Sequence, residues 1–441
     1  MWELPAQVHS ALDRLHAAGY EAYIVGGCVR DLLLGRVPED YDITTAALPA
    51  ETQQVFAGEK LIETGLKHGT VTVLLKGLPL EITTFRVDGD YADGRHPDAV
   101  RFTPSLREDL ARRDFTVNAM AYHPETGLAD PFGGQADLRQ GLLRCVGDPE
   151  RRFAEDALRI LRALRFAGTL GFQIEENTRR ALLAGKDSLT RISAERVREE
   201  LLKLLCGPGA GQVILDFPAV LGVVIPELLP MQGFDQRSVY HCHDVLSHCA
   251  LALDAVPAEP VLRLAALLHD VGKPATFQPD ENGAGHFYGH GAVGAELADA
   301  ICRRLRLSTA QRERVVTLVR RHDMPIEATE RGVRRALNRL TPEVFFQLLA
   351  LKRADNLAQA PEFRERQAYY DQLEALAKEL LAADACFSLR DLAVNGRDLL
   401  ALGLEKGPAV GAALERLLAA VMDGVVPNEK ANLLEWYQKQ E

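Results

Sequence analysis

Apolar and polar residues change rhythm about a third of the way along the chain. Before that point, helical and strand rhythms mix. Leu12, Leu15 and Ala18 recur at helical spacing, whereas Val71, Val73 and Leu75 alternate with Thr72, Leu74 and Lys76, as one face of a sheet does. Residues 23–25, 42–44, 70–75 and 80–85 read as strands. From about residue 150 the helical period dominates and no strand run stands out. The expected architecture is therefore α+β, a mixed-sheet head followed by an all-helical remainder. Gly207-Pro208-Gly209-Ala210-Gly211 punctuates the helical region as a candidate hinge. Residues 228–233 mark another boundary, and 278–291 form a polar loop rich in Gly, Asp and His.

At 441 residues the chain is long enough for several domains. The apolar runs are broken by charges before they could span a bilayer, and the start lacks the basic and apolar stretch of a signal peptide. Seven scattered cysteines with no C-x-x-C pair read as reduced cytoplasmic thiols. The net charge of −11 argues mildly against a nucleic-acid partner. Local distribution matters more: arginines crowd 86–113 and 151–198, so a basic cleft on an acidic body is expected.

Asp40-Tyr41-Asp42 carries the first candidate chemistry. On a strand, residues two apart share a face. Two such carboxylates can hold a pair of Mg²⁺ ions around one triphosphate, which is the apparatus of in-line nucleotidyl transfer. About a dozen residues earlier, Gly26-Gly27 lies between an apolar run and a helical run. A glycine turn from strand to helix lets backbone N–H groups approach phosphate oxygens.

Together GGCVRDLLLGR (26–36) and DYDITT (40–45) resemble the head domain of class II tRNA nucleotidyltransferases, the bacterial CCA-adding enzymes and their poly(A) polymerase relatives. The resemblance continues through GLKHGTVTV (65–73), EITTFR (81–86), EDLARRDFTVNA (108–119), EDALR (155–159) and the C-terminal segment. It implies addition of CMP, CMP and AMP from CTP and ATP to a tRNA 3′ end. By resemblance Asp40 and Asp42 bind the catalytic metals, Gly27 and Arg30 hold the triphosphate, and Arg113 contacts the nucleotide, with Asp114 a candidate to orient an arginine. Glu81 has two readings: a third metal carboxylate, or a strand residue that positions an arginine. The loop at 88–97 looks full length, which disfavours an enzyme that adds only CC. Four regions are implied: a nucleotidyltransferase head (1–145), a helical neck with the nucleotide-reading helix and an RNA-binding region (146–230), a body (231–375) and a helical tRNA-binding tail (376–441).

Residues 153–166 read as one helix with Asp156, Arg159 and Arg162 close to one face. Cytosine and adenine share an edge with an exocyclic amine beside a ring-nitrogen acceptor. A carboxylate accepts from the amine, and a guanidinium donates to the ring nitrogen. The resemblance makes Asp156 and Arg159 that protein template, with Arg162 and Arg165 as further nucleotide contacts.

In the body, ALLHDVGK (266–273) resembles the signature of HD-domain metal phosphohydrolases. His248, His290, His322 and Asp355 supply the other ligands in order beside His269 and Asp270, with His241 and His243 as rivals for the first position. Such a donor set suits Mn²⁺, Ni²⁺, Co²⁺ or Mg²⁺. The implied reaction is phosphoester hydrolysis, on 2′,3′-cyclic phosphates or phosphomonoesters. In the tail, residues 403–411 form a glycine-flanked turn that resembles the family segment contacting the tRNA elbow. The rival readings are an A-adding enzyme, a poly(A) polymerase, and a hydrolase whose head only binds RNA. Oligomeric state is not legible.

Overall fold

The computed structural model describes residues 2–63, 65–88, 100–383 and 388–440, arranged as two compact units, Met1–Leu229 and Pro230–Glu441. The expected α+β class holds. The first unit is built on a seven-stranded mixed sheet whose order is Lys60–Ile62, Thr70–Leu75, Leu78–Thr84, Asp42–Thr45, Ala22–Val25, Ala121–His123, Gly127–Ala129. Only the pair Asp42–Thr45 and Leu78–Thr84 runs parallel; the other neighbours are antiparallel. Strand Thr70–Leu75 alternates as its sequence does: Val71, Val73 and Leu75 are buried, and Thr72 and Leu74 less so. The opening helix Ala6–Ala17 buries Val8, Ala11, Leu12 and Leu15.

Six helices follow in the same unit, from Pro149–Glu155 to Pro218–Val224. The glycine-rich stretch at 207–211 is a packing point rather than a hinge. The Gly209 N–H donates to the Gly168 carbonyl at 2.9 Å, and a Cβ on Gly207 would stand 2.9 Å from the Gly168 backbone. Glycine serves there for close approach. Beyond residue 150, the described strands are only two residues long. Gln173–Ile174 pairs with Leu142–Leu143, and Gln278–Pro279 pairs with Gly285–His286 inside the expected polar loop.

The second unit is helical. Pro260–Leu268 is almost wholly buried and packs against Val245–Ala255, Thr309–Arg321 and Pro342–Leu357. The last helices, Gly396–Ala401, Pro408–Met422 and Lys430–Gln438, enclose a core of their own around Leu399, Leu417, Leu433 and Tyr437. No helix among the described residues is long and apolar enough to cross a membrane. The described cysteines are free thiols.

Candidate active sites

The first site grows from the parallel strand pair. Register sets Asp42 directly beside Glu81, so both side chains project from one face of the sheet. Asp40 lies two residues before Asp42, at the exposed end of that strand. Burial, then the charges of Asp40 and Glu81, push the Asp42 carboxyl up from 3.8 to about 6; Arg113 opposes the rise. A divalent cation would relieve the negative charge that Asp40 and Glu81 place on Asp42. Within the first unit, no three ligand atoms of described residues approach to within 4.8 Å.

The glycine turn borders this face. Strand Ala22–Val25 ends at Gly26, whose φ of 82° and ψ of −129° suit glycine alone, and helix Gly27–Leu33 starts immediately after. A Cβ on Gly26 would stand 3.0 Å from the Arg113 guanidinium. Buried Asp109 anchors the arginines here. It accepts from Arg112 Nε at 2.9 Å, Thr44 Oγ1 at 3.1 Å and the Arg86 N–H at 3.3 Å, and it pairs with Arg113 at 3.5 Å. Arg30 donates to Asp31 at 2.9 Å and to Asn118 Oδ1 at 2.9 Å. The guanidinium groups of Arg30, Arg162 and Arg165 all lie over the Phe166 ring, 5.2, 5.4 and 4.0 Å from its centroid.

The segment expected as one helix from 153 to 166 is two. Helix Pro149–Glu155 stops at Asp156, which is extended at φ −142° and ψ 103°, and Leu158–Leu170 begins two residues later. Asp156 makes the break itself, because its carboxylate accepts from the Leu158 N–H at 3.0 Å, competing with the helical ladder. The shared-face argument therefore fails for Asp156, although Arg159, Arg162, Arg165 and Phe166 do ride on one helix. Asp156 and Arg159 are engaged separately. Asp156 accepts from Arg196 at 2.8 Å, while buried Arg159 donates to Glu155 at 2.7 Å and to the Arg152 and Arg112 carbonyls at 3.1 Å. Arg162 donates two bonds to Asp114 at 2.9 and 2.7 Å; burial would raise that carboxyl, yet Arg162 holds it down at about 2. Glu200 pairs with Arg165 at 2.7 Å. The roles of Asp109, Glu155, Arg196 and Glu200 escaped the sequence reading, although the first two fall in the quoted motifs and the last two lie four apart, one helical turn, at the end of the arginine-rich stretch.

The second site lies in the second unit and draws six residues from five helical segments. His248 Nε2 stands 3.2 Å from His269 Nε2, 3.0 Å from Asp355 Oδ1 and 3.5 Å from Asp270 Oδ2. On the other side of the same carboxylate, Asp270 Oδ1 is 3.5 Å from both His290 Nε2 and His322 Nε2, which are 3.0 Å apart. Each histidine is oriented by its other nitrogen. The Nδ1 atoms of His248, His269, His290 and His322 meet the carbonyls of Ala358, Ala266, Phe287 and Val319 at 3.3, 2.8, 2.8 and 2.7 Å. A carbonyl only accepts, so Nδ1 carries a proton and Nε2 is turned toward the centre.

Two ligand groups result, His248–His269–Asp270 and Asp270–His290–His322, with Asp270 common to both. Burial would raise the Asp270 carboxyl, but Lys273 at 2.7 Å and His269 hold it well below the usual range. His241 is not among these groups; its Nε2 faces Lys273 at 3.4 Å, and burial and Lys273 push its imidazole down to about 3. A cavity of about 440 Å³ opens onto the cluster, lined in part by Tyr240, Lys273 and Tyr288. In the tail, helix Pro408–Met422 begins at Pro408 of the glycine-flanked turn. The loop at 88–97 lies almost wholly outside the described residues.

Known proteins match along most of this length. The model for the Poly A polymerase head domain matches residues 22–144, that for the RNA and SrmB-binding site of polymerase A residues 171–216, and that for tRNA nucleotidyltransferase domain 2 residues 292–437. The CCA-adding enzyme of Lactobacillus delbrueckii subsp. bulgaricus is 49% identical over 217 residues, 49% of this chain and 54% of that protein, so the match spans about half the length of that relative. Those of Lactobacillus johnsonii and Bacillus velezensis are 36% and 34% identical over 427 residues, 96% of this chain and 95% and 96% of theirs. The crystal structure of the Bacillus stearothermophilus CCA-adding enzyme in complex with CTP superposes with a TM-score of 0.75 at 31% identity, covering 98% of this chain and 96% of that one. The sheet with its paired carboxylates, the arginine cluster and these full-length matches agree: the chain belongs to the CCA-adding enzymes of the tRNA nucleotidyltransferase/poly(A) polymerase family.

Proposed function

We propose that the chain adds CCA to tRNA 3′ ends in the cytoplasm, using CTP and ATP and releasing diphosphate. The observation that carries this reading is the Asp42–Glu81 register beside Asp40, a carboxylate face whose charge the partly buried Arg113 opposes. The tRNA 3′ hydroxyl attacks the α-phosphorus, a phosphodiester forms, the α–β anhydride breaks, and the hydroxyl proton leaves. Asp40 and Asp42 would hold two Mg²⁺ ions, with Glu81 as the adjacent third carboxylate; the pair would supply a lowered pKa at the attacking hydroxyl and neutralisation of the departing diphosphate. Gly27 and Arg30 hold the triphosphate, with Arg113, Arg162 and Arg165 around it. Asp156 and Arg159 read the shared edge of C and A. Residues 1–145 act as the head, 146–230 as the neck, 231–375 as the body and 376–441 as the tail, the last meeting tRNA by shape and backbone.

The second site supports a further activity, metal-dependent hydrolysis of 2′,3′-cyclic phosphates or phosphomonoesters. His248, His269, Asp270, His290, His322 and Asp355 would hold the ions, and nitrogen donors favour Mn²⁺, Co²⁺ or Ni²⁺ over Mg²⁺. Lys273 faces the cavity, where a substrate phosphate would sit.

The test uses purified protein with tRNAs ending before the first C, after C and after CC, each supplied with CTP, ATP, UTP or GTP. Growth of all three substrates to CCA supports the proposal. Extension of the CC-ending tRNA alone would identify an A-adding enzyme, and long A tracts a poly(A) polymerase. No incorporation at all would leave a hydrolase with an RNA-binding head.

A further inference from the structure

His322-Asp323, at the end of helix Thr309–Arg321, repeats the His-Asp dipeptide of His269-Asp270 at the end of helix Pro260–Leu268. The repeat is placed where the second ligand group is incomplete. Asp323 Oδ2 stands 3.0 Å from His290 Nε2, and Oδ1 stands 3.4 Å from His322 Nε2. Ligand atoms bound at about 2.1 Å to one ion are about 3.0–3.4 Å apart, the octahedral and tetrahedral edges. On the other side of Asp270, the His248 and His269 Nε2 atoms stand 3.0 to 3.9 Å from each other, from Asp270 Oδ2 and from Asp355 Oδ1, near that range. His290, His322 and Asp270 Oδ1 supply three atoms at or close to that spacing, and the Asp323 carboxylate lies within 3.4 Å of the two histidine nitrogens.

Building on the hydrolase reading above, we propose that Asp323 is a terminal ligand of a second metal ion, so that the centre is binuclear, bridged by Asp270, with His290, His322 and Asp323 completing the outer ion. The two ends differ. Asp355, the terminal carboxylate of the inner group, is 19% exposed at its side chain, whereas Asp323 is 62% exposed. Asp323 also borders two cavities, the one of about 440 Å³ over the cluster and another of about 610 Å³ lined by Lys352, Arg366, Tyr369 and Tyr370. The outer ion therefore faces solvent and exchanges first, while the inner one is retained. A bland alternative exists, in which Asp323 is only a surface carboxylate paired with two histidines. It predicts no loss of metal on substitution.

The experiment is metal stoichiometry on the full chain. Wild type, Asp323→Ala, Asp323→Asn and Asp270→Ala are stripped with chelator, dialysed against Co²⁺ and read by elemental analysis and visible absorption. Asp270→Ala lacks the bridge and gives the baseline from the head carboxylates. Wild type should hold two Co²⁺ above that baseline. Asp323→Ala should hold one, with the weaker ion's affinity down at least about tenfold, since even residues that only orient a ligand cost 10–100-fold. Asp323→Asn should fall between, keeping an oxygen donor without the charge. Metal-free circular dichroism spectra matching wild type exclude misfolding as the cause; if Asp323→Ala misfolds, Asp323→Asn decides. Two ions in wild type and two in both Asp323 variants overturn the proposal and leave the hydrolase reading intact. A single ion above baseline, unchanged by substitution, also overturns it. No ion above baseline in wild type overturns both.

Discussion

Asp42→Asn should make the metal-free first unit more stable at neutral pH while abolishing nucleotide incorporation. The Asp42 carboxyl is pushed from 3.8 to about 6 by burial and by Asp40 and Glu81. A folded-state value above the unfolded one means that the native state binds the proton more tightly. Stability conferred by the protonated group is then complete below about pH 4 and is lost as pH rises through about 6. A rise of that size corresponds to about 3 kcal/mol at full ionisation, and partial solvent screening reduces this to about 1–2 kcal/mol. Asparagine keeps the shape without the charge, so at pH 7.5 the variant should gain that amount. At pH 4, where wild type is itself protonated, the gain should nearly vanish.

The first and second units can unfold separately, so the probe must report one of them. The chain has two tryptophans, Trp2 and Trp436. In a Trp436→Phe background the fluorescence comes from Trp2, whose ring lies 4.5 Å from that of Tyr122 in the sheet. Urea unfolding in chelator at pH 7.5 and pH 4 then gives the difference directly. Millimolar Mg²⁺ should stabilise wild type more than the variant. A variant no more stable than wild type at pH 7.5, or a gain that does not shrink with acid, would refute the charge-repulsion account. Retained incorporation would refute the metal role.

Gly26→Ala places a Cβ 3.0 Å from the Arg113 guanidinium at a backbone conformation of φ 82°; it should cost about 1–3 kcal/mol in thermal melts and slow incorporation of C and A alike, and unchanged melting would count against it. Asp156→Ala and Arg159→Ala should raise incorporation of U or G relative to C and A by about 10-fold or more, and Arg196→Ala, which frees Asp156, should do so more weakly; a uniform rate loss with unchanged preference would make these residues structural. His269→Ala/Asp270→Ala should lose phosphate release from 2′,3′-cyclic nucleotides and generic esters across a panel of divalent metals, while nucleotide addition survives. A wild type with no release under any metal would remove the hydrolase activity.

The strands at 42–45 and 78–84, the glycine turn and the opening helix were legible because each rhythm is local, whereas the parallel pairing of those two strands joins residues 39 apart and was not. Strand Thr70–Leu75 alternates burial as its composition does. The short strands Lys60–Ile62 and Gly127–Ala129 were not legible, since three residues are too few for a period to register. The break at Asp156 was hidden for a different reason. Phe153, Ala157, Ile160, Leu161 and Leu164 keep a helical spacing across it, and what overrides the rhythm is one side chain accepting from a backbone N–H two residues on. Charge partners were the least legible class. Asp156 meets Arg196 across 40 residues and Asp114 meets Arg162 across 48, and nothing local encodes such pairings.

The two sites resolve the same physical difficulty, charge concentrated in a low-dielectric place, in opposite ways. In the first unit the carboxylates stand on neighbouring positions of a rigid sheet; burial, then the charges of Asp40 and Glu81, lift Asp42 to about 6, and Arg113 only partly opposes them. Oxygen-only donors with few protein constraints suit an ion that keeps several waters and arrives with a triphosphate. In the second unit the cost is met within the chain: four imidazoles are each fixed by a backbone carbonyl, and Lys273 at 2.7 Å compensates Asp270. A centre oriented in advance suits a resident ion, because no reorganisation is left for binding to drive. On the proposed reading, the first site would couple metal to substrate, so that assembly of the reactive arrangement would wait for the nucleotide. The second is set before any substrate enters. Where the carbonyl and lysine partners are found is what separates them, and neither distinction depends on the identity of the substrate.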